Sequence, residues 1–240
     1  MFSYDPVLCT VVKTLPKSIG DAVRILQEIQ AICFDGDALK WFNWLYLKVT
    51  QAVEERVASG GFKDPAWLAE LDVRFASLYF SALERVLLRQ RAPDCWRILF
   101  DCRGQTSVAR IQFALAGINA HINRDLPEAI VATCEVRATI PEHGSPQFID
   151  YTSLNSTLDS ITEPAKQTLH VRLLGDAILP VSHLEDLVAA WSVSAAREAA
   201  WNNAEALWHL RKVPPVDSRF MDTLDGLTTV TNKALLIPVP

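Results

Sequence analysis

Long apolar runs, clusters of basic residues and paired cysteines are all missing from this 240-residue chain. The apolar stretch Val7 to Val12 is too short for a signal segment or a membrane span, and no basic residues precede it. A cytoplasmic protein without a membrane span is therefore expected. Charged residues make up only 21% of the chain, and the net charge of -5 is spread without basic clusters, which argues against an electrostatic nucleic-acid surface. The five cysteines, Cys9, Cys33, Cys95, Cys102 and Cys134, are odd in number and widely spaced, with no CxxC pair and no zinc-ribbon spacing. Buried free thiols are the reading. No phosphate-binding loop, dinucleotide fingerprint or nucleophile-elbow motif appears, so no cofactor is implied. Strand-like alternation is nearly absent.

What the chain has is helical periodicity. Half of its residues are hydrophobic, enough for a full core. Ser18 reads as the N-cap of a helix carrying Ile19, Val23, Leu26, Ile29 and Ile32 at helical spacing. A second helix starts from Asp37 and runs through Trp41, Trp44, Leu45, Val49 and Val53 to the pair Gly60-Gly61, suited to a left-handed cap. Asp64-Pro65 opens a third with the stripe Leu68, Leu71, Phe75, Tyr79, Leu83 and Val86. Pro93 opens a short helix, and Ser107 is expected to start the next. Residues 139–146 read as a loop and 162–180 as weakly patterned. One long or broken helix is expected from Leu184 to Arg211, and a last one from about Asp217. The expectation is an all-α, single-domain orthogonal bundle of roughly eight to ten helices over residues 1–240, its helices after about residue 182 packing onto the N-terminal bundle.

One stretch departs from this apolar pattern. Asn119-Ala120-His121-Ile122-Asn123-Arg124-Asp125-Leu126-Pro127 places several hydrogen-bonding side chains between apolar neighbours, where unpaired polar groups are costly. On a helix His121 and Asp125 share one face, with Gly117 leaving room beside the imidazole, while Asn119 and Asn123 share nearly the opposite face. A carboxylate can orient an imidazole and fix its tautomer for proton transfer near neutral pH, so His121 and Asp125 are assigned to a pocket and the asparagines to helix packing. Asp125 has a competing use: Asp125-Leu126-Pro127-Glu128 also reads as a helix cap. His121 has one too, as a core histidine bonded to a carbonyl. Pro127 must interrupt or restart the helix.

Other elements offer partners. Asp72 lies on the same stripe as Leu68, Phe75 and Tyr79, and a buried carboxylate must be paired, protonated or metal-bound. Arg197 occupies a similar place on the late helix, and an Asp72–Arg197 ion pair is one use for both. Asn43, Tyr46 and Thr50 form a polar line on the second helix, which can meet a ligand or, for Asn43, pair with Asn119 or Asn123. His121, Asp72 and Asp125 are the candidate catalytic residues. Asn43, Tyr46, Tyr79, Arg197 and Trp201 are the candidate substrate-binding ones.

Several of these residues lie in blocks that carry a family resemblance. Asp35-Gly36 to Thr50, Gly61-Phe62 with Leu71-Asp72 and Phe75-Ala76, Gly117 to Pro127, and Ala196-Arg197-Glu198-Ala199-Ala200-Trp201 together resemble a family of bacteria and fungi classed as a domain of unknown function. The most specific element is N-A-H-I-N-x-D-L-P, intact here as Asn119 to Pro127. The resemblance implies a helical protein with a shared polar centre comprising Asn43, Asp72, His121, Asp125, Arg197 and Trp201. It also implies an accessory role in metabolic gene clusters, including secondary metabolism, but no particular activity.

Three functions fit. The first is an enzyme that isomerises or cyclises a hydrophobic small molecule without redox chemistry, through His/Asp acid-base catalysis in an apolar pocket, as a monomer or homodimer. The second is a divalent-metal hydrolase on His121, Asp125 and Asp72, opposed by the scarcity of further histidines in a site context, so no metal ligand is assigned. The third is a binding protein whose polar cluster is a structural network.

Overall fold

A computed structural model of the chain describes residues 2–173, 175, 186 and 192–238. The chain folds as an all-α bundle, with no strand among the described residues and a single antiparallel bridge between Ala109 and Arg172. The order is α1 (Asp5–Val12), α2 (Ile19–Ile32), α3 (Leu39–Ala58), α4 (Pro65–Leu87), α5 (Asp94–Asp101) and α6 (Arg110–Ala120). A π-helical turn (His121–Asp125) joins α6 to α7 (Leu126–Arg137), followed by α8 (Pro146–Ser153) and α9 (Asn155–Thr168). The last two are α10 (Val193–Leu210) and α11 (Val216–Leu235).

Local chemistry sets most of these boundaries. Ser18 Oγ accepts the Asp21 N–H at 3.1 Å, and Asp64 Oδ1 accepts the Trp67 N–H at 3.0 Å, filling orphan donors at the starts of α2 and α4. Such caps stabilise a helix by about 1 kcal/mol each. Gly60 and Gly61 take the left-handed φ values of 79° and 89° that end α3. The start expected at Ser107 falls instead at Ala109–Arg110, because the Gln112 side chain accepts the Ala109 N–H at 2.7 Å and does the work of a cap. The weakly patterned stretch from 162 is helical as far as Thr168. Its buried residues Leu158, Thr162 and Ala165 recur at helical spacing even though Pro164 stands inside the helix. Leu184, Trp191 and His183 lie outside the described residues.

The α6–π–α7 rod is the axis on which the rest is arranged. It packs against α3, α4, α10 and α11, and every residue of α6 except Arg110 is buried. One buried apolar cluster runs from Leu8 to Leu236, with Phe42, Trp67, Tyr79, Trp96 and Trp201 fully enclosed. Fully burying an aliphatic or aromatic side chain of this kind contributes about 1.5–3 kcal/mol. The polar residues set into this rod are therefore the exception that needs an explanation. No helix among the described residues is long and apolar enough to cross a membrane.

Candidate functional site

Pro127 has no N–H to return to the preceding turn, and the rod responds by widening rather than breaking. Leu126 N–H donates to His121 O, five residues back, so the turn from His121 to Asp125 is π-helical. A turn wider than the usual 3.6 residues or so brings residues four apart closer to alignment. His121 Nδ1 accordingly meets Asp125 Oδ2 at 3.1 Å, with both side chains at most 3% exposed.

Asp125 is held from two further directions. Trp96 Nε1 donates to its Oδ2 at 2.9 Å and Arg124 Nη1 to its Oδ1 at 3.0 Å. Its carboxylate caps nothing, because no side-chain bond reaches the first turn of α7. Tryptophan and arginine can only donate, which leaves Asp125 as acceptor and assigns the proton of the imidazole to Nδ1. His121 Nε2 is then a bare acceptor, and it is buried without a hydrogen-bond partner among the described residues. Burial holds the imidazole below its ordinary pKa, outweighing the opposing pull of Asp125, so the ring is neutral.

Aromatic rings enclose that imidazole. Phe75 stacks on it with centroids 3.5 Å apart and planes 6° from parallel, and Tyr46 meets it edge-on at 4.7 Å. Phe42, Trp96 and Tyr79 form a second layer at 5.9 to 6.2 Å. The space expected beside His121 at Gly117 is filled by the Phe42 ring, whose Cδ2 lies 2.3 Å from where a Cβ would stand.

Beside the imidazole lies a cavity of about 60 Å³ lined by His121, Tyr46, Phe75, Leu158, Val193 and Arg197, among others. A second, of about 50 Å³, adjoins it and is lined by Asp72, Leu68, Leu71 and Leu126. The two share Tyr46, Val49, Phe75, Leu158 and Arg197 as walls and are treated as lobes of one site. Each exceeds the volume one water needs, and their walls are mainly apolar. Three of the residues that line the lobes carry a buried polar atom with no partner among the described residues: His121 Nε2, the Tyr46 hydroxyl and Asp72 Oδ2.

Asp72 and Arg197 both line the second lobe, yet they do not form the ion pair weighed from the sequence. Arg197 Nε donates to Asn155 Oδ1 and Nη2 to Tyr151 O, both at 2.8 Å, and its guanidinium lies 3.8 Å from the Tyr151 ring. Burial and the nearby Glu54 push the Asp72 carboxyl from 3.8 to about 7, against the pull of Arg197.

The remaining candidates lie outside the lobes. Asn43 Nδ2 donates to Leu26 O and to Gln30 Oε1, each at 2.9 Å, and so ties α3 to α2 rather than pairing with Asn119 or Asn123. Trp201 packs against Trp67, Phe148 and Tyr151 beneath α8, with its N–H given to Glu205 at 3.1 Å. Tyr79 stands behind Phe42 with its hydroxyl buried and unpartnered. Asn119 and Asn123 face away from the cavity. Asn123 donates to Asn119 Oδ1 at 2.7 Å, Asn119 donates to Asn232 Oδ1 at 2.8 Å, and Asn232 donates to Cys95 O at 3.0 Å. This chain of amides joins the rod to α11 and α5.

Sequence reasoning passed over Phe75 as core and did not single out Trp96. Within its own helix the Trp96 indole stacks on Phe100, four residues on, which reads as core packing; only the fold brings its N–H to Asp125. No three His, Cys, Asp or Glu side chains cluster as metal ligands among the described residues, and Asp125 spends both oxygens on N–H donors.

The fold and the cavity define an all-α protein built around a buried, carboxylate-held histidine. The chain belongs to the Family of unknown function (DUF5995), whose model matches residues 19–238. No curated protein and no solved structure matches it.

Proposed function

We propose that the protein is an enzyme that isomerises or cyclises an apolar small molecule, with His121 Nε2 as the general base. The observation that carries this reading is the bare, unpartnered Nε2 beside an apolar cavity, on an imidazole whose other nitrogen is fixed by Asp125. Leaving that nitrogen unpaired is a cost to the fold, which a function at the cavity would explain. Here one nitrogen is satisfied and the other is without a partner among the described residues, on a side chain that lines a cavity.

The chemistry follows from that arrangement. Nε2 takes a proton from a carbon acid or hydroxyl of the substrate and becomes imidazolium, which Asp125 stabilises through the Nδ1–H bond. The same nitrogen returns the proton at a different atom once the bonds of the substrate have rearranged. Nothing is gained or lost overall, so substrate and product have the same mass. The aromatic walls exclude water, which would otherwise quench the intermediate, and fix the fold of a flexible chain. Phe75, stacked on the ring, offers its face to the imidazolium as charge develops.

The test is a metabolite mixture incubated with protein in deuterated water and read by chromatography and mass spectrometry. The wild type is expected to convert a species into an isomer, deuterated only to the extent that the imidazolium exchanges its proton before returning it, and His121→Asn, folded, is expected to abolish the conversion. Ligand retained by both proteins with no isomer and no deuterium would mark a binding protein instead.

A further inference from the structure

Arg197 is the one cation among the described residues lining both lobes, and it is only 7% exposed. Its partners are all neutral: an amide oxygen, a backbone carbonyl and the face of a tyrosine ring. No carboxylate of the described residues lies within 4.0 Å of it, and Asp159 and Asp72 act on it from farther off. Its third nitrogen, Nη1, has no hydrogen-bond partner among the described residues. A buried guanidinium without a directly paired counter-ion is costly, and this one stands at the wall of a cavity that has room for another molecule.

We infer that the ligand of this cavity is an apolar carboxylic acid, its carboxylate seated on Arg197 and its hydrocarbon part lying toward His121. The inference rests on the reading of the cavity as a binding site for an apolar molecule and names the class of that molecule. A planar guanidinium with a free terminal nitrogen matches a carboxylate in geometry as well as in charge. The apolar walls suit a hydrocarbon, and the small volume of the lobes favours a carboxylate over bulkier anions. Asp72 completes the site. Its Oδ2 is buried and unpartnered at the same lobe, and its environment favours the neutral carboxyl, which donates a hydrogen bond to an anion rather than repelling it. The Tyr46 hydroxyl, also unpartnered, offers a further donor between the two lobes.

This arrangement separates two duties along the ligand. Arg197 and Asp72 hold the acid end, and His121 works on the chain several bonds away, so the carboxylate fixes which atom reaches Nε2. The carboxylate itself takes no part in the proton transfer.

Calorimetric binding of straight-chain alkanoates from four to eight carbons, with the alkanols and alkylamines of equal length, tests the inference on the intact protein. One matching alkanoate is expected to bind about tenfold more tightly than its alkanol, the worth of a charge-assisted hydrogen bond. Arg197→Gln is expected to bring the alkanoate down to the level of the alkanol while the alkanol is unaffected. Asp72→Asn, which keeps a donor, is expected to retain alkanoate binding whether or not Arg197→Gln folds. Equal binding of alkanoate and alkanol would overturn the carboxylate and leave the apolar site standing. Tightest binding by the alkylamine, weakened in Asp72→Asn, would make Asp72 the anchor and overturn it as well. Failure of every series, alkanols included, would remove the apolar site and this inference together.

Discussion

Two titratable residues at the cavity walls are displaced from their ordinary values by burial, and they pull the stability of the fold in opposite directions. His121 is held below its unfolded value, so as pH falls through about 6.5 the unfolded chain takes up a proton that the folded state refuses, and stability declines toward acid. Asp72 is raised from 3.8 to about 7, so between those values the folded state keeps a proton the unfolded chain has lost. Its contribution is complete below 3.8 and is lost as pH rises through about 7. Urea titrations across pH separate the two. Asp72→Asn is expected to be more stable than the wild type at pH 8, by up to about 4 kcal/mol, with the difference vanishing toward pH 4. His121→Asn is expected to flatten the decline between pH 7 and pH 5. A wild type whose stability did not respond to either substitution in a pH-dependent way would mean that neither group is buried as described.

At the scale of helices, the site depends on a close approach of α3 and α6 that only glycine permits. An added Cβ at Gly117 would stand 2.4 Å from Phe42 Cγ and 2.9 Å from Phe42 Cβ, too near its backbone for the ring to swing clear. Gly117→Ala is therefore expected to destabilise by about 1–3 kcal/mol in chemical denaturation, since α3 must move and take the cavity wall with it. Gly226→Ala on α11, where nothing lies within 4 Å, is expected to stabilise by about 0.5–1 kcal/mol. Much of this level was legible in the sequence, because caps and stripes are local: Ser18, Asp64-Pro65 and Gly60-Gly61 mark their boundaries directly. The division of the polar run into an asparagine face and a histidine face was legible for the same reason. What could not be read is whatever depends on which helices meet. Asn43 finds Gln30 and the Leu26 carbonyl across the α2–α3 contact, and Arg197 finds Asn155 and Tyr151 instead of Asp72. The π-turn was half legible: Pro127 announced a disturbance, but only the surrounding core decides that the rod widens instead of bending.

Across the whole molecule, the polar groups of the central rod are sorted by what lies on each side. Toward α11 and α5, the amides of Asn119, Asn123 and Asn232 donate and accept in a connected chain that holds the bundle. Toward α3, α4 and α10, His121 is satisfied on one nitrogen and open on the other, among aromatic walls. One rod thus provides both the tie that closes the fold and the base that the fold encloses, and membership of the family over residues 19–238 takes in every element that forms the cavity. The state of that imidazole in the intact, folded protein is where the functional account stands or fails. Nitrogen-15 NMR of His121 at pH 7 reads it directly. A neutral ring protonated on Nδ1 is expected, with Nε2 bare and titrating below the ordinary histidine value. A proton on Nε2, or an imidazolium at pH 7, would contradict the functional account.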